Sequence, residues 1–268
     1  MWQLILERIR QKHRTFDYPR LAPVMSARFH GMPVLCTETV ADTEGPLPCC
    51  PTGALTVGRD LRLRLDMGKC LFCGECERAL GSNAVKFSNE HRLAAKRRED
   101  LEITNAERAL ADALSEESAS LFGHSLKLRQ VSAGGCNACE ADTNVLNTLV
   151  FDLGRFGIQF VASPRHADGL LVTGPVTKNM ELALRKTYDA VPFPKIVIAV
   201  GACAISGGIY AGHNEVNCGV SDVLPVDLFI PGCPPHPWTI LDGLLSMLGR
   251  VKRERSQTSE VEGRKHNQ

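Results

Sequence analysis

Short apolar runs alternate with helix-like stretches in the second half of the chain. Five runs, each rich in apolar and β-branched residues and bounded by glycine, proline or polar turns, read as buried strands. They cover residues 126–131, 158–163, 169–174, 195–200 and 227–232. The pattern changes to a helical period at 141–156, at 179–191 and after Pro237. This alternation predicts an α/β domain with a mostly parallel, doubly wound sheet and helices on both faces.

The N-terminal segment, MWQLILERIRQKHR, has apolar residues at 2, 4, 5, 6 and 9 and a basic end. This spacing predicts a short amphipathic helix, which we expect to pack on protein rather than to lie at the edge of a membrane. The segment lacks the long apolar centre and cleavage site of a secretory signal. The most apolar run, 196–205, is shorter than the roughly 18 residues of a membrane span. We therefore expect a cytoplasmic chain.

Composition adds two further segments. Residues 88–118 are rich in Ala, Leu, Glu and Arg and contain neither proline nor glycine, which predicts a helical connector. Residues 251–268 are almost entirely polar and charged, which is typical of a disordered tail. The whole chain is 44% hydrophobic, with 31 basic and 30 acidic residues and a formal charge of +1. This balance argues against nucleic acid as a main partner.

Eleven cysteines is a high number for 268 residues. Without a secretory signal, clustered cysteines indicate metal or redox chemistry rather than disulfides. They form two groups, at 36, 49, 50, 70, 73 and 76, and at 136, 139, 203, 218 and 233.

The first group contains CLFCGEC at 70–76. C-x2-C-x2-C is the bacterial ferredoxin spacing, in which three thiolates of one loop bind one 4Fe–4S cluster. In two-cluster ferredoxins the fourth cysteine of a run, followed by proline, serves the other cluster. Here the fourth position of the run is Leu80, whereas Cys50-Pro51 ends an earlier run whose other cysteines are missing. The remaining ligands of one complete cluster are Cys50, Cys70, Cys73 and Cys76.

The sequences that follow Cys50 and the CLFCGEC run, PTGALTV and SNAVKF, look like the two half-repeats of a bacterial ferredoxin. Cys49 lies one residue out of register and Cys36 fits no position of the pattern, so we expect neither to bind the cluster. A zinc knuckle is the alternative, but its fourth ligand would need a different spacing.

The second group follows the ends of predicted strands. GGCNACE (134–140) comes after the first strand, and Cys203 and Cys233 come after the strands at 195–200 and 227–232. In an open parallel sheet, the carboxyl ends of the strands form the edge where ligands bind. Nearby glycines would let backbone N–H groups approach a cluster. The cysteines expected to converge at this edge are Cys136, Cys139, Cys203 and Cys233.

Two alternatives accompany this second site. Cys218, in EVNCGVSD, competes as a ligand, but it lies in a loop between strands rather than at a strand end. A redox dithiol is the alternative for Cys136 and Cys139, although two more cysteines share their edge of the sheet.

CNACE, GACAISGG and LPVDLFIPGCPPHP resemble the small-subunit family shared by nickel–iron hydrogenases and the B subunit of respiratory NADH:quinone oxidoreductase. The resemblance covers about residues 120–250. It implies a flavodoxin-like domain that holds the 4Fe–4S cluster nearest the active site of a large subunit. The B subunit typically has two adjacent cysteines in its first loop, whereas this chain has C-x2-C. That spacing resembles the membrane-bound, energy-converting hydrogenases, which include formate hydrogenlyase.

The resemblance implies electron transfer through two 4Fe–4S clusters. We expect single electrons to pass between a nickel–iron centre in a separate large subunit, the cluster of the second cysteine group and the cluster of the first. No residue of this chain is expected to bind nickel or to be catalytic. The implied partners are the large subunit and membrane subunits, which would hold the chain at the inner face of the cell membrane.

Two other functions remain as alternatives. One is a complex I-like NADH:quinone oxidoreductase component whose large partner lacks nickel. The other, from a different class, is a structural zinc protein without redox function.

The domain division expected from these observations has five parts. It consists of an N-terminal helix and lead-in (1–30), a small α+β ferredoxin-like domain (31–88), a helical connector (89–122), a hydrogenase small-subunit-like domain (123–250) and a disordered tail (251–268). In the fourth part, Arg165 would lie near the second cluster or form a salt bridge at a helix start. Glu140 reads as a surface acid at a helix start, with a proton-path carboxylate as the alternative.

Overall fold

The structure is a computed structural model and describes residues 2–11, 14–36, 44–104 and 125–251. Its helices are α1 (Trp2–Gln11), α2 (Glu75–Leu80), α3 (Ala138–Val145), α4 (Lys178–Ala190), α5 (Ala202–Ser206) and α6 (Pro237–Met247). Its strands are β1 (Pro33–Leu35), β2 (Gly45–Pro46), β3 (Leu55–Val57), β4 (Leu63–Asp66), β5 (Val85–Phe87), β6 (Glu102–Ile103), β7 (Leu126–Ser132), β8 (Ile158–Phe160), β9 (Gly169–Thr173), β10 (Ile196–Val200) and β11 (Leu228–Ile230). Short 3-10 helices lie at Glu99–Leu101, Leu153–Phe156, Pro164–His166, Gly208–Tyr210 and Val220–Asp222.

The strands from β7 to β11 form one parallel sheet in the order β11-β10-β9-β7-β8. Counted from β7, this is the 2-1-3-4-5 order of flavodoxin-like folds. Every residue of β9, β10 and β11 is buried, as expected of parallel strands that are covered on both faces. The predicted flavodoxin-like sheet is confirmed, and each predicted strand is present.

Alternate side chains of this sheet enter two hydrophobic layers. In β9, Leu171 packs in the layer that contains α6, all of whose residues are buried. Leu170 and Val172 point the other way, into a layer that also contains Leu184 of α4 and Ile205 of α5. The period of two along a strand therefore gives each face of the sheet its own apolar surface.

A small α+β unit precedes the parallel sheet. β1 pairs with β5, and β2, β3, β4 and β6 form a second antiparallel sheet. The CLFCGEC run begins after β4 and continues into α2. Leu55 and Leu65 of this unit belong to the same hydrophobic cluster as Val172 and Phe229 of the parallel sheet. The two units therefore share one continuous core.

The predicted helical connector is wrong for residues 89–104. Ala95 exchanges two backbone hydrogen bonds with Phe229 of β11, at 3.0 and 2.8 Å, in an isolated antiparallel bridge at the edge of the parallel sheet. Residues 102–103 then form β6 and pair with β4. Burial of apolar side chains against these two sheets overrides the helix-favouring composition. The rest of the predicted connector, 105–122, lies outside the described residues, as does 252–268 of the predicted tail.

Two other helix predictions also differ from the structure. The helix expected at 141–156 ends at Val145, and Asp152 adopts a left-handed backbone before a 3-10 turn. α1 forms as predicted, but all of its residues are exposed. The expectation that α1 packs on protein is therefore not met by the described part of this chain.

Polar contacts reinforce the junction of the two units. Ser206, at the end of α5, donates from its hydroxyl to the backbone oxygen of Gly68 at 2.9 Å. Asp66, at the end of β4, accepts two hydrogen bonds from the guanidinium of Arg98, at 2.8 and 2.6 Å. A Cβ atom at Gly68 would lie 2.8 Å from both Arg98 and Ile205. The absence of a side chain at Gly68 therefore permits this close approach.

Replacement of Arg98 tests the Asp66 ion pair. Arg98→Ala should lower the free energy of unfolding by about 3 kcal/mol, because it removes the hydrogen-bonded cation of a largely buried carboxylate and leaves only Lys69, at 4.0 Å. Arg97→Ala is the matched control, since Arg97 pairs with Asp100 on the surface and should cost at most about 1 kcal/mol. Chemical denaturation of both variants, purified anaerobically, measures the difference. Equal effects of the two substitutions would contradict the prediction.

Candidate functional site

Five of the six cysteines of the first group surround one cavity. Two of these five thiols are buried, two are half-buried and one is exposed. Apolar side chains, among them Leu55, Leu65 and Phe87, complete the wall. The cysteines that line the cavity are Cys49, Cys50, Cys70, Cys73 and Cys76.

Backbone N–H groups point at two of these sulfur atoms. The N–H of Phe72 donates to Sγ of Cys70 at 3.3 Å, and the N–H of Ala54 donates to Sγ of Cys50 at 3.2 Å. Phe72 adopts a left-handed backbone with φ of 54°, within the turn of the loop. Such donors stabilise negative charge on sulfur, and a set of thiols of which two accept N–H hydrogen bonds fits the ligand shell of an iron–sulfur cluster.

The thiols of this cavity differ in acidity. Burial raises the pKa of Cys70 to about 12 and that of Cys76 to about 11. Burial also acts to raise the pKa of Cys50, but hydrogen bonds from the backbone at Leu55, Thr52 and Ala54 outweigh it and lower that pKa below its usual value. Cys50 is therefore the thiol of the three that most readily becomes a thiolate.

Cys49 lies on the wall of the same cavity, although the sequence register excludes it as a ligand. Burial raises the pKa of the Cys49 thiol, and the neighbouring Cys50 raises it further. Cys49 in turn helps to raise the pKa of Cys76. Cys36 is exposed at the end of β1 and does not line this cavity. The structure thus separates the two cysteines that the sequence pattern treats alike.

Four of the five cysteines of the second group lie at the carboxyl edge of the parallel sheet. Cys136 is in the loop after β7, Cys139 in the first turn of α3, Cys203 in α5 directly after β10, and Cys233 in the loop after β11. Burial raises the pKa of Cys203 to about 11, and the nearby thiols of Cys233 and Cys136 also act to raise it. Burial also raises the pKa of Cys139, with contributions from Glu140 and the other three thiols. The structure therefore brings these four cysteines together.

Two glycines make room for this second group. A Cβ atom at Gly201 would lie 2.6 Å from Sγ of Cys139, and one at Gly208 would lie 2.8 Å from Sγ of Cys203. Both glycines have positive φ angles, of 94° and 57°. The backbone can therefore come as close to the sulfur atoms as a cluster site requires.

Cys218 stands apart from this group. It is exposed, and its backbone N–H donates to a carboxylate oxygen of Asp222 at 2.8 Å. Within the described ranges, Cys218 is not among the groups that raise the pKa of Cys139, Cys203 or Cys233.

The two cysteine groups face each other across the junction of the units. The pKa of Cys233 is raised, mainly by burial. The nearby thiols of Cys136 and of Cys73, which belongs to the first group, raise it further. One cleft lies between the two groups. It is lined by Leu71 and Phe72 on one side and by Cys233 and His236 on the other.

His30, in the lead-in segment, packs on the CLFCGEC loop at this junction. Its Nδ1–H donates to the backbone oxygen of Phe72 at 2.8 Å. A Cβ atom at Gly74, whose φ is 75°, would lie 2.6 Å from the His30 ring. His30 therefore supports the turn whose N–H points at Cys70.

The expectation that Glu140 is a surface acid is wrong. Glu140 is in the first turn of α3, but it is only 6% exposed. Its Oε1 accepts hydrogen bonds from the hydroxyls of Ser132, at 2.5 Å, and Thr173, at 2.7 Å. These partners come from β7 and β9, so the carboxylate lies inside the sheet edge next to Cys139.

Arg165 occupies an exposed 3-10 turn after β8. Among the described residues, it is not part of an ion pair within 4.0 Å. The structure therefore does not bear out the expected helix-start salt bridge of Arg165.

Two features are absent from the described residues. No three His, Cys, Asp or Glu side chains in these ranges form a site for a single metal ion. None of the helices seen between residues 2 and 251 has both the length and the apolar character to cross a membrane.

Sequence reasoning missed His30 and Ser206 as supports of the cysteine loops. Ser206 belongs to GACAISGG, but its contact with Gly68 spans 138 positions of sequence. His30 precedes the first cysteine group and belongs to no motif. A local pattern has no signal for either contact.

Comparison with known proteins gives consistent relationships. The profile of the family described as "NADH ubiquinone oxidoreductase, 20 Kd subunit" matches residues 136–247. The probable membrane-bound hydrogenase subunit mbhJ of Pyrococcus furiosus is 38% identical over 149 residues, which are 56% of this chain and 89% of the relative. The B subunit of the NADH-quinone oxidoreductase of Citrifermentans bemidjiense is 43% identical over 122 residues, 46% of this chain and 71% of the relative.

Two further proteins share part of the chain. Formate hydrogenlyase subunit 7 of Escherichia coli is 44% identical over 125 residues, 47% of this chain and 49% of the relative. A chain of the membrane-bound sulfane sulfur reductase, an archaeal respiratory membrane complex, is 33% identical with a TM-score of 0.44 and covers 51% of this chain and 75% of that chain.

The matched region begins at Cys136 and ends with the last residue of α6, so it contains the parallel sheet edge and its four converging cysteines. Two relatives that this chain covers to more than two thirds of their own length are subunits of a hydrogenase and of an NADH-quinone oxidoreductase. The chain belongs to the family of the 20 kDa subunit of NADH ubiquinone oxidoreductase.

Proposed function

We propose that this chain is the iron–sulfur electron-transfer subunit of a membrane-associated oxidoreductase complex of the hydrogenase or complex I type. The observation that carries the proposal is the pair of converging cysteine groups, which approach each other at Cys73 and Cys233. Relatives from both kinds of complex support the assignment to an oxidoreductase complex of one of these two types. The chain holds no complete active site and works with a separate large subunit and membrane subunits.

The first proposed 4Fe–4S cluster is bound by thiols of the small α+β unit. The backbone N–H groups that point at Cys50 and Cys70 support this assignment, because donors to ligand sulfur are the usual means of tuning such clusters. The lowered pKa of Cys50 favours it over Cys49 as the fourth ligand. The ligands are Cys50, Cys70, Cys73 and Cys76.

The second proposed 4Fe–4S cluster lies at the carboxyl edge of the parallel sheet, next to the large subunit. The close approach of Gly201 and Gly208 to two of the sulfur atoms supports a cluster there. The thiols raise one another's pKa values, which indicates that they lie close together and supports one shared ligand set. The ligands are Cys136, Cys139, Cys203 and Cys233.

The clusters supply one-electron exchange, and the residues of this chain control the surroundings of that exchange. The apolar side chains of Leu55, Leu65 and Phe87 line the first site, where two of the thiols are buried. Ser132 and Thr173 hold the Glu140 carboxylate beside the second site. The hydrogen bond from Ser206 to Gly68 links the unit that carries the first site to the unit that carries the second.

We favour the hydrogenase branch, in a complex similar to formate hydrogenlyase. The first loop of the second site has C-x2-C spacing, whereas the resemblance drawn from the sequence associates two adjacent cysteines with the quinone-reductase branch. The alternative is a complex I-like component whose large partner lacks nickel. Metal analysis of the complex co-purified with this chain separates them, since nickel in the large subunit is expected only for the hydrogenase.

Iron and sulfide analysis tests the electron-transfer proposal. After anaerobic purification, the chain should contain about eight irons and about eight sulfides, because each of two clusters holds four of each. Zinc without sulfide would support the structural zinc protein and contradict the proposal. A content of about four irons would show that one ligand set is wrong.

Single substitutions in the turn at residues 49 and 50 test the fourth ligand of the first site. Cys50→Ala should lower the iron content to about four per chain, because it removes a ligand with a directed N–H donor. Cys49→Ala is the matched control from the same cavity wall and should keep about eight. Loss of iron in the Cys49 variant, with retention in the Cys50 variant, would reverse the assignment.

A second pair of substitutions tests the other ligand set. Cys203→Ala should lose the second cluster and leave about four irons, since Cys203 lies among the converging thiols. Cys218→Ala should keep both clusters because its side chain is exposed and lies outside that group. Iron content and electron paramagnetic resonance of the reduced proteins measure both outcomes. Cluster loss in the Cys218 variant would require a different fourth ligand.

A further inference from the structure

The N-terminal helix α1 presents an apolar stripe that the described part of this chain leaves uncovered. Trp2, Ile5, Leu6 and Ile9 follow the i, i+3, i+4, i+7 spacing that places side chains on one face of a helix. All four are exposed, and α1 contributes no residue to either hydrophobic layer of the protein. Four large apolar side chains in one stripe are more than the isolated apolar residues normal for a surface.

Basic side chains border this stripe. At 100° per residue, Arg8 follows Ile5 on one side of the stripe, and Arg10 follows Leu6 on the other. Residues 2–14 contain four Lys or Arg residues and a single acidic residue, Glu7. An apolar face with arginines at both borders is the arrangement of a helix that lies in a membrane interface, since long basic side chains reach outward to lipid phosphates.

Phe16, five residues after the end of α1, is anchored to the second half of the chain. The backbone N–H of Phe16 donates to the oxygen of Val150 at 3.0 Å, and the Phe16 ring packs on Trp238 at 5.1 Å. Phe16 thereby anchors the chain beside Leu149 and Val150, which are themselves exposed. The end of the helix therefore lies only a few residues from a second exposed apolar pair.

We propose that α1 is an interfacial helix that binds the surface of an anionic lipid bilayer, with Trp2, Ile5, Leu6 and Ile9 in the acyl-chain boundary. Arg8 and Arg10 contact the lipid phosphates. The proposal goes beyond electron transfer and does not depend on either ligand set. It gives this chain its own contact with the membrane, in addition to those of partner subunits.

Vesicle flotation of the full chain tests this proposal. The chain, purified anaerobically with its cofactors, should float with vesicles of mixed phosphatidylcholine and phosphatidylglycerol and bind at least about tenfold less to pure phosphatidylcholine, since each nearby basic residue favours anionic lipid about fivefold. Added salt should reduce the binding, because it screens the charge attraction. Failure to float with anionic vesicles at low salt would overturn the proposal.

A pair of substitutions on the same helix defines the binding face. Leu6→Glu places a charge in the stripe and should reduce vesicle binding at least about tenfold. Leu4→Glu is the matched control, because Leu4 is 75% exposed against 59% for Leu6 but lies on the other side of the helix. It should change binding less than about twofold. Equal effects of the two substitutions would overturn the proposal.

The competing occupant of the stripe is another protein of the complex. It would be indicated if the chain failed to bind vesicles while Leu6→Glu released it from the assembled complex. That result would also overturn the lipid proposal. Neither substitution touches a described core residue, so iron content and circular dichroism should match those of the unmodified chain in both variants.

Discussion

The hydrophobic core shared by the small α+β unit and the parallel sheet is the contact on which the other features depend. Leu55 and Leu65 on one side and Val172 and Phe229 on the other bury their side chains in the same cluster. Removal of this surface from water stabilises the junction by about 25 cal/mol for each Å² of apolar area. The hydrogen bond between Ser206 and Gly68 then sets the position of one cysteine loop against the other. Two groups of thiols from distant parts of the chain come close because the two units pack against each other through this core.

Burial of sulfur sets the chemistry of both groups. Since burial raises the pKa of Cys70 to about 12 and those of Cys76 and Cys203 to about 11, the metal-free thiols keep their protons at neutral pH. Ligation by iron requires thiolates, so binding of the proposed clusters would release protons. The N–H groups directed at Cys50 and Cys70 would stabilise the negative charge on those two sulfur atoms.

Sequence patterns failed where a distant part of the chain decides the environment. Glu140 obeys the local preference for an acid at a helix start, but Ser132 and Thr173 of two different strands enclose it. The composition of residues 89–104 favours a helix, yet Ala95 pairs with β11 and β6 pairs with β4. In the second case, contacts between segments far apart in sequence outweigh an intrinsic preference of less than about 1 kcal/mol per residue.

The sequence by itself determined the five parallel strands, the ferredoxin spacing of CLFCGEC and the arrival of four cysteines at one sheet edge. These features follow from local periodicity and from the rule that parallel strands end on the same side. Only the tertiary structure decided that the two cysteine groups face each other, that Cys49 shares the cavity of Cys50, and that the described residues leave the apolar stripe of α1 uncovered. The physical reason is that packing between units depends on the shapes of two complete surfaces, which no short segment of sequence specifies.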